Sequence, residues 1–181
     1  YSVMKKCGNI MGGRGGGFMF KVIVIGCPGA GKSTFARKLR DAAKLPLFYL
    51  DVLWHRPDQT NVSRDEFDVD EIIKRDTWII DGNYLRTLET RLAACDTVFF
   101  MDYPLDVCLA GAKSRIGKRR EDLPWIESEF DDEFKQWIMD FPKEQLPQIY
   151  KMLEKYQDSK NIIIFKTRKD ADDYLNKMFS Q

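Results

Sequence analysis

The segment Gly26-Cys27-Pro28-Gly29-Ala30-Gly31-Lys32-Ser33-Thr34 decides how this chain is read. It satisfies G-x-x-x-x-G-K-[ST], the Walker A or P-loop pattern, and it follows a β-branched apolar run from Phe20 to Ile25. It leads into the helical spacing Phe35, Leu39, Ala43. A strand, a glycine turn and a helix start in that order gather backbone N–H groups and the positive end of a helix dipole around one point. A row of phosphate oxygens needs that arrangement. A lysine at this position reaches the β and γ phosphates of ATP, and the hydroxyl after it can ligand Mg²⁺. Gly29, Ala30, Gly31, Lys32, Ser33 and Thr34 are therefore the candidate cofactor-binding residues, Lys32 is also a catalytic charge, and Ser33 is a metal ligand. Cys27 reads as a small filler rather than a redox group.

Outward from this loop the chain alternates strand and helix. Leu47 to Leu50, Thr77 to Ile80, Thr97 to Met101 and Asn161 to Phe165 join the first run as short segments apolar on both faces. Helical periods lie between them: Leu105 to Ile116, Ile126 to Phe141, Leu146 to Leu153, and Tyr174 to Met178. The expected class is α/β, a five-stranded parallel sheet flanked by helices. The aromatic stripe from Phe130 to Phe141 reads as core, and Thr167 with Asp170 has capping-box spacing. Residues 1–18 hold half of the twelve glycines and read as a tag or leader, leaving 19–181 as one domain.

Composition narrows the function classes. With 29 basic against 28 acidic residues, the net charge of +1 speaks against a surface given over wholly to nucleic acid or membrane. No apolar run approaches the roughly 20 residues of a membrane helix. One histidine, His55, and four cysteines without a C-x-x-C pair exclude a zinc finger, and the thiols read as reduced and cytoplasmic. His55 is either a surface ring or a base.

In a parallel α/β sheet, ligands collect at the carboxyl ends of the strands. Asp51, Asp81 and Asp102 each end one. Asp81, followed by Gly82, is the candidate second Mg²⁺ ligand; Asp51 would position an acceptor hydroxyl or the metal; Asp102 reads as a turn or cap residue. The cluster Lys113, Arg115, Lys118, Arg119, Arg120 is a phosphate-clamping lid, a solvated face or a nucleic-acid patch. Arg115 and Arg119, four apart, would share a helix face, and a closing lid would keep water from the transferred phosphoryl.

From Phe20 onward the chain resembles the adenylate-kinase-like P-loop kinases, through GCPGAGKST, Ile79-Ile80-Asp81-Gly82 and Arg115-Ile116-Gly117-Lys118-Arg119. More narrowly it resembles the DNA topology modulation proteins, through Leu50-Asp51 with Trp54, Trp78 to Tyr84, Arg91-Leu92, Asp96 to Pro104, and Trp137-Ile138 with Phe141-Pro142-Lys143. The resemblance implies the strand order 2-3-1-4-5, a short lid within about 113–125 and an acceptor-binding insert at about 52–76. It also implies Arg115 near adenine, Arg119 near the phosphates, and Lys166 to Arg168 bordering the base. Trp54, Arg86 and Arg91 join Asp51 around the acceptor; for Arg91 an ordinary salt bridge is the other reading.

The expected function is an ATP- and Mg²⁺-dependent phosphoryltransferase, nucleoside monophosphate kinase-like or acting on a small hydroxylated molecule. A nucleotide-dependent regulatory protein that binds DNA or a DNA-associated partner is the alternative. A P-loop scaffold without a working acceptor site is the third.

Overall fold

Segments that are apolar on both faces must be sandwiched; the three central strands are, while the two edge strands are only half-covered. The computed structural model describes residues 21–63 and 65–179; the reading of residues 1–18 lies outside them. The order of elements is β1 (Lys21–Gly26), α1 (Lys32–Ala43), β2 (Leu47–Tyr49), α2 (Leu50–Trp54), α3 (Asp70–Ile73), β3 (Trp78–Asp81), α4 (Leu85–Ala94), β4 (Thr97–Met101), α5 (Leu105–Lys113), α6 (Asp132–Glu144), α7 (Leu146–Tyr156), β5 (Asn161–Phe165) and α8 (Arg168–Phe179). The strands run parallel in the order β2-β3-β1-β4-β5, as expected.

Neighbouring residues on β4 point to opposite faces and show how both are covered. The Phe99 ring meets Phe35 of α1 at 4.9 Å and Tyr174 of α8 at 5.4 Å. Phe100 turns the other way and meets Tyr150 of α7 edge-on at 5.5 Å. β1 lies at the centre, so the loop that leaves it opens in the middle of the sheet's carboxyl edge. Asp102, just past β4, accepts hydrogen bonds from Tyr150 and Lys166, tying α7 and the end of β5 to that edge. Thr167 and Asp170 form the reciprocal capping box at the start of α8.

Several boundaries differ from expectation. Leu50 belongs to α2 rather than to β2, and α4 was not foreseen. Asp131 caps α6, accepting from the Phe134 N–H at 2.7 Å, so Ile126 to Phe130 lie outside the helix. Helix α5 stops at Lys113. Gly117 has a left-handed φ of 74° and donates its N–H to the Glu127 carbonyl at 2.8 Å, folding the segment back on itself. Among the described residues, no helix is long and apolar enough to cross a membrane.

Candidate active site

The P-loop is pinned from behind by α5. A β-carbon on Gly29 would lie 2.0 Å from the Cys108 carbonyl oxygen, and one on Gly111 would lie 2.0 Å from the Gly29 carbonyl oxygen. Glycine at both positions lets the two backbones touch. Cys27 is buried, and hydrogen bonding to Cys108 together with burial pushes its thiol pKa up, which fits the filler reading. Helix α1 starts at Lys32 with no side-chain cap and no acid in its first turn. Its N-terminal amides are thus left for an anion. Lys32 Nζ donates to the Cys27 carbonyl at 3.1 Å, and Arg168 reaches the Gly29 carbonyl at 3.4 Å.

Beside the loop stands Asp81, 4% exposed, whose Oδ1 has no hydrogen-bond partner. Burial pushes its pKa up to about 7; the Lys32 charge and the Ser33 hydroxyl pull it back, while Asp51 and Asp122 add to the rise. A carboxyl whose pKa is higher folded than unfolded destabilises the fold as pH rises. The effect is absent below about pH 4 and grows with pH until about pH 7. Asp81→Asn removes it, so thermal melts of the nucleotide-free protein should show the variant gaining stability over wild type from pH 4 to 7. A constant difference across that range would contradict the assignment.

Asp51 borders the same cavity as the loop and accepts a hydrogen bond from the Tyr84 hydroxyl at 2.8 Å. Burial and Asp51 together raise the pKa of that hydroxyl. Trp54 packs edge-on against Phe67 at 5.2 Å, and His55 faces Trp125 at 5.1 Å while sharing a hydrogen bond with Asn61. Loop, acids and aromatics border one cavity of about 1080 Å³, near the upper end of the range for small-ligand sites.

The segment between α5 and α6 supplies arginines, though not the expected pair. Arg115 borders the cavity, paired with Glu127 at 3.1 Å and lying over the Phe134 ring at 5.0 Å. Burial lowers its pKa, as does Arg120 nearby. Because α5 ends before Ser114, Arg115 and Arg119 share no helix face: Arg119 is exposed and stands outside the cavity. Arg120 stands there instead, 3.4 Å from Asp122 and 3.3 Å from Glu127. Phe134 and Trp137, expected in the core, also border the cavity, and Trp137 is 43% exposed.

Arg86 is exposed and outside the cavity. Arg91 is fully buried and does neither thing expected of it. It donates to the Gly82 carbonyl at 2.9 Å, the Tyr84 carbonyl at 2.8 Å and the Thr87 hydroxyl at 3.1 Å. Gly111, Arg37, Arg120, Asp122 and Glu127 were missed. Arg120 was visible as part of the basic cluster; Asp122 follows no strand and fits no spacing, so no sequence signal marks it.

The donor set fits Mg²⁺ bound with ATP. Ser33 Oγ and the unpartnered Asp81 oxygen lie beside the anion-binding loop. Among the described residues, no trio of His, Cys, Asp and Glu forms a metal cage. Mg²⁺ commonly takes one or two carboxylates and completes its shell with phosphate oxygens and water.

No protein-family model and no curated protein matches this chain. Solved structures do. A gluconokinase from Sinorhizobium meliloti 1021 superposes with TM-score 0.51 at 12% identity, covering 90% of this chain and 91% of its own. A shikimate kinase from Bacteroides thetaiotaomicron gives 0.52 at 16% identity, with 89% and 96% covered. One from Acinetobacter baumannii, in complex with shikimate, gives 0.57 at 16% identity, with 89% and 94% covered. The fold is that of the P-loop kinases. These matches lend no support to the DNA topology modulation branch or to a nucleic-acid partner. Two arginines of the basic cluster are engaged in ion pairs inside the lid.

Proposed function

We propose that this protein is a phosphotransferase that passes the terminal phosphoryl group of Mg²⁺-ATP to a small hydroxylated molecule or a nucleotide. The observation that carries this reading is that the uncapped P-loop helix, Lys32, Ser33 and the buried Asp81 share one cavity with Asp51 and Trp54. The small-molecule kinases with the same fold agree with it.

Bound ATP supplies the phosphoryl group, and Mg²⁺ neutralises charge on its oxygens. The loop amides from Gly29 to Thr34 and Lys32 hold the phosphates. Ser33 and Asp81 hold the metal. Asp51 accepts the acceptor hydroxyl's hydrogen bond and fixes its oxygen for in-line attack, with Trp54 as the wall behind it. Arg115 and Arg120 are placed to meet phosphate charge, and Arg168 borders the nucleotide end. Arg119, on the outer side of the lid, reaches the phosphates only if that loop turns inward. Arg86 reaches an acceptor only if the chain after Asn83 closes over it. Positioning and charge suffice for such a reaction, so His55 need not act as a base.

The test is ADP formation from Mg²⁺-ATP across nucleoside monophosphates, nucleosides, sugars and hydroxy acids, with an acceptor-free control. Acceleration by one acceptor is the expected result. A slow rate indifferent to every acceptor would refute the transfer reading.

A further inference from the structure

We propose that Asp122, carried by the lid, belongs to the divalent-cation site of this protein and positions the metal of Mg²⁺-ATP together with Ser33 and Asp81. The inference rests on the nucleotide reading above and adds a residue that the P-loop pattern does not predict.

A serine that ligands a cation through an oxygen lone pair still carries its proton, and that proton needs an acceptor. Ser33 gives it to Asp122 Oδ2, at 3.0 Å. Asp122 lies 89 residues further along the chain, in the loop between α5 and α6, yet it is 4% exposed and borders the cavity. Its second oxygen, Oδ1, is buried without a hydrogen-bond partner, as Asp81 Oδ1 is. The nearest charge to it is Arg37 Nη1, at 3.7 Å. Asp81 and Asp122 thus border the same cavity as the Ser33 hydroxyl, each with a buried oxygen that has no hydrogen-bond partner. Buried carboxylate oxygens left without partners are costly. A cation shared by Asp81, Ser33 and Asp122 removes that cost at both and relieves the repulsion between the acids.

The lid geometry gives the placement a consequence. Arg120 Nη1 lies 3.4 Å from Asp122 Oδ2, the oxygen that also accepts from Ser33, and Glu127 links Arg120 to Arg115. Metal binding at Asp122 would therefore draw the lid down at the same point where its arginines meet phosphate. Cation occupancy and lid position become one event.

Mn²⁺ is the probe, followed by its electron paramagnetic resonance signal in the presence of ATP and protein, with ATP affinity measured separately in chelator. Asp122→Asn keeps the shape and an acceptor for Ser33 but removes the charge. The expected result is that Mn²⁺ dissociates from the protein–ATP complex about 10-fold or more easily, while metal-free ATP binding changes by less than about twofold. Asp122→Glu should recover part of the Mn²⁺ affinity. A purely structural role would lower the unfolding midpoint without separating these two affinities. Unchanged Mn²⁺ affinity in Asp122→Asn overturns the proposal and leaves the nucleotide reading intact. Tighter metal-free ATP binding also overturns it, making Asp122 a stand-in for phosphate that ATP displaces. Wild-type protein that binds ATP neither with nor without Mn²⁺ refutes the nucleotide reading and this inference together.

Discussion

Lys32→Ala lowers acceptor-dependent ADP formation by about 10²–10³-fold while the protein stays folded. In the structure the ammonium makes one hydrogen bond, to the Cys27 carbonyl at 3.1 Å in a half-buried position, and water can take its place at small cost. The apolar packing does not lean on it, since the residues of α1 that face the sheet are Phe35, Ala36 and Leu39, though its charge offsets the buried Asp81 carboxylate. Its value lies in charge at the point where the amides converge. A positive group fixed beside the phosphates costs no reorganisation when charge builds up in the transition state. The loss is incomplete because the amides of α1, its dipole, Arg115 and Arg120 remain. Steady-state rates at saturating Mg²⁺-ATP, set beside far-ultraviolet circular dichroism and a thermal melt, separate the effect on chemistry from any effect on folding. A variant that works at close to the wild-type rate would remove Lys32 from the mechanism and, with it, the central support for phosphoryl transfer in this cavity.

What the sequence made legible divides along physical lines. Strands announce themselves by continuous apolar runs, so β4, buried throughout, and β5, half-covered at the sheet edge, fall where the residues place them. The P-loop is legible because its chemistry needs consecutive residues: turn, amides, lysine and hydroxyl are neighbours in the chain. Asp81 is legible because it ends a buried run. The lid is not, because it has no period. Arg115 and Arg119 look like helix neighbours until Gly117 turns the chain, and Arg120 then takes the place beside the cavity. Asp122 contacts Ser33 across 89 residues, a meeting that no local pattern encodes. Phe134 and Trp137 show the same limit from the other side: helical spacing marks an apolar face, yet part of that face meets a cavity rather than the core. Helix α4 escaped because its interior face includes Thr87 and Arg91, polar residues that read as surface.

Arg91 turns that last miss into a measurable difference. An arginine that binds an acceptor would change KM on removal and leave stability alone. Arg91 instead is 0% exposed, and its guanidinium ties three oxygens of uncharged groups together. Desolvation pulls its pKa down to about 9, with Cys95 and Asp81 opposing the fall, so it stays charged at neutral pH. The carbonyls it holds belong to Gly82 and Tyr84. Gly82 has a left-handed φ of 141°, and a β-carbon there would stand 2.7 Å from Leu50 Cβ. The turn therefore depends on glycine in front and on Arg91 behind, and it carries Asn83, bonded to Gln145, and Tyr84, bonded to Asp51. Arg91→Ala leaves three oxygens without their donor and a cavity where the side chain was, costing about 3–5 kcal/mol. In urea that is a fall in midpoint of about 2 M for a domain of this size. Arg91→Lys should recover little, because a single ammonium cannot reproduce the guanidinium's planar fork. Both variants should unfold at lower urea, and the fall in midpoint is the primary effect; any change in KM for the acceptor follows from movement of Tyr84 against Asp51. An unchanged midpoint with a raised KM would return Arg91 to the acceptor site and remove the strut from beneath the Gly82–Tyr84 turn.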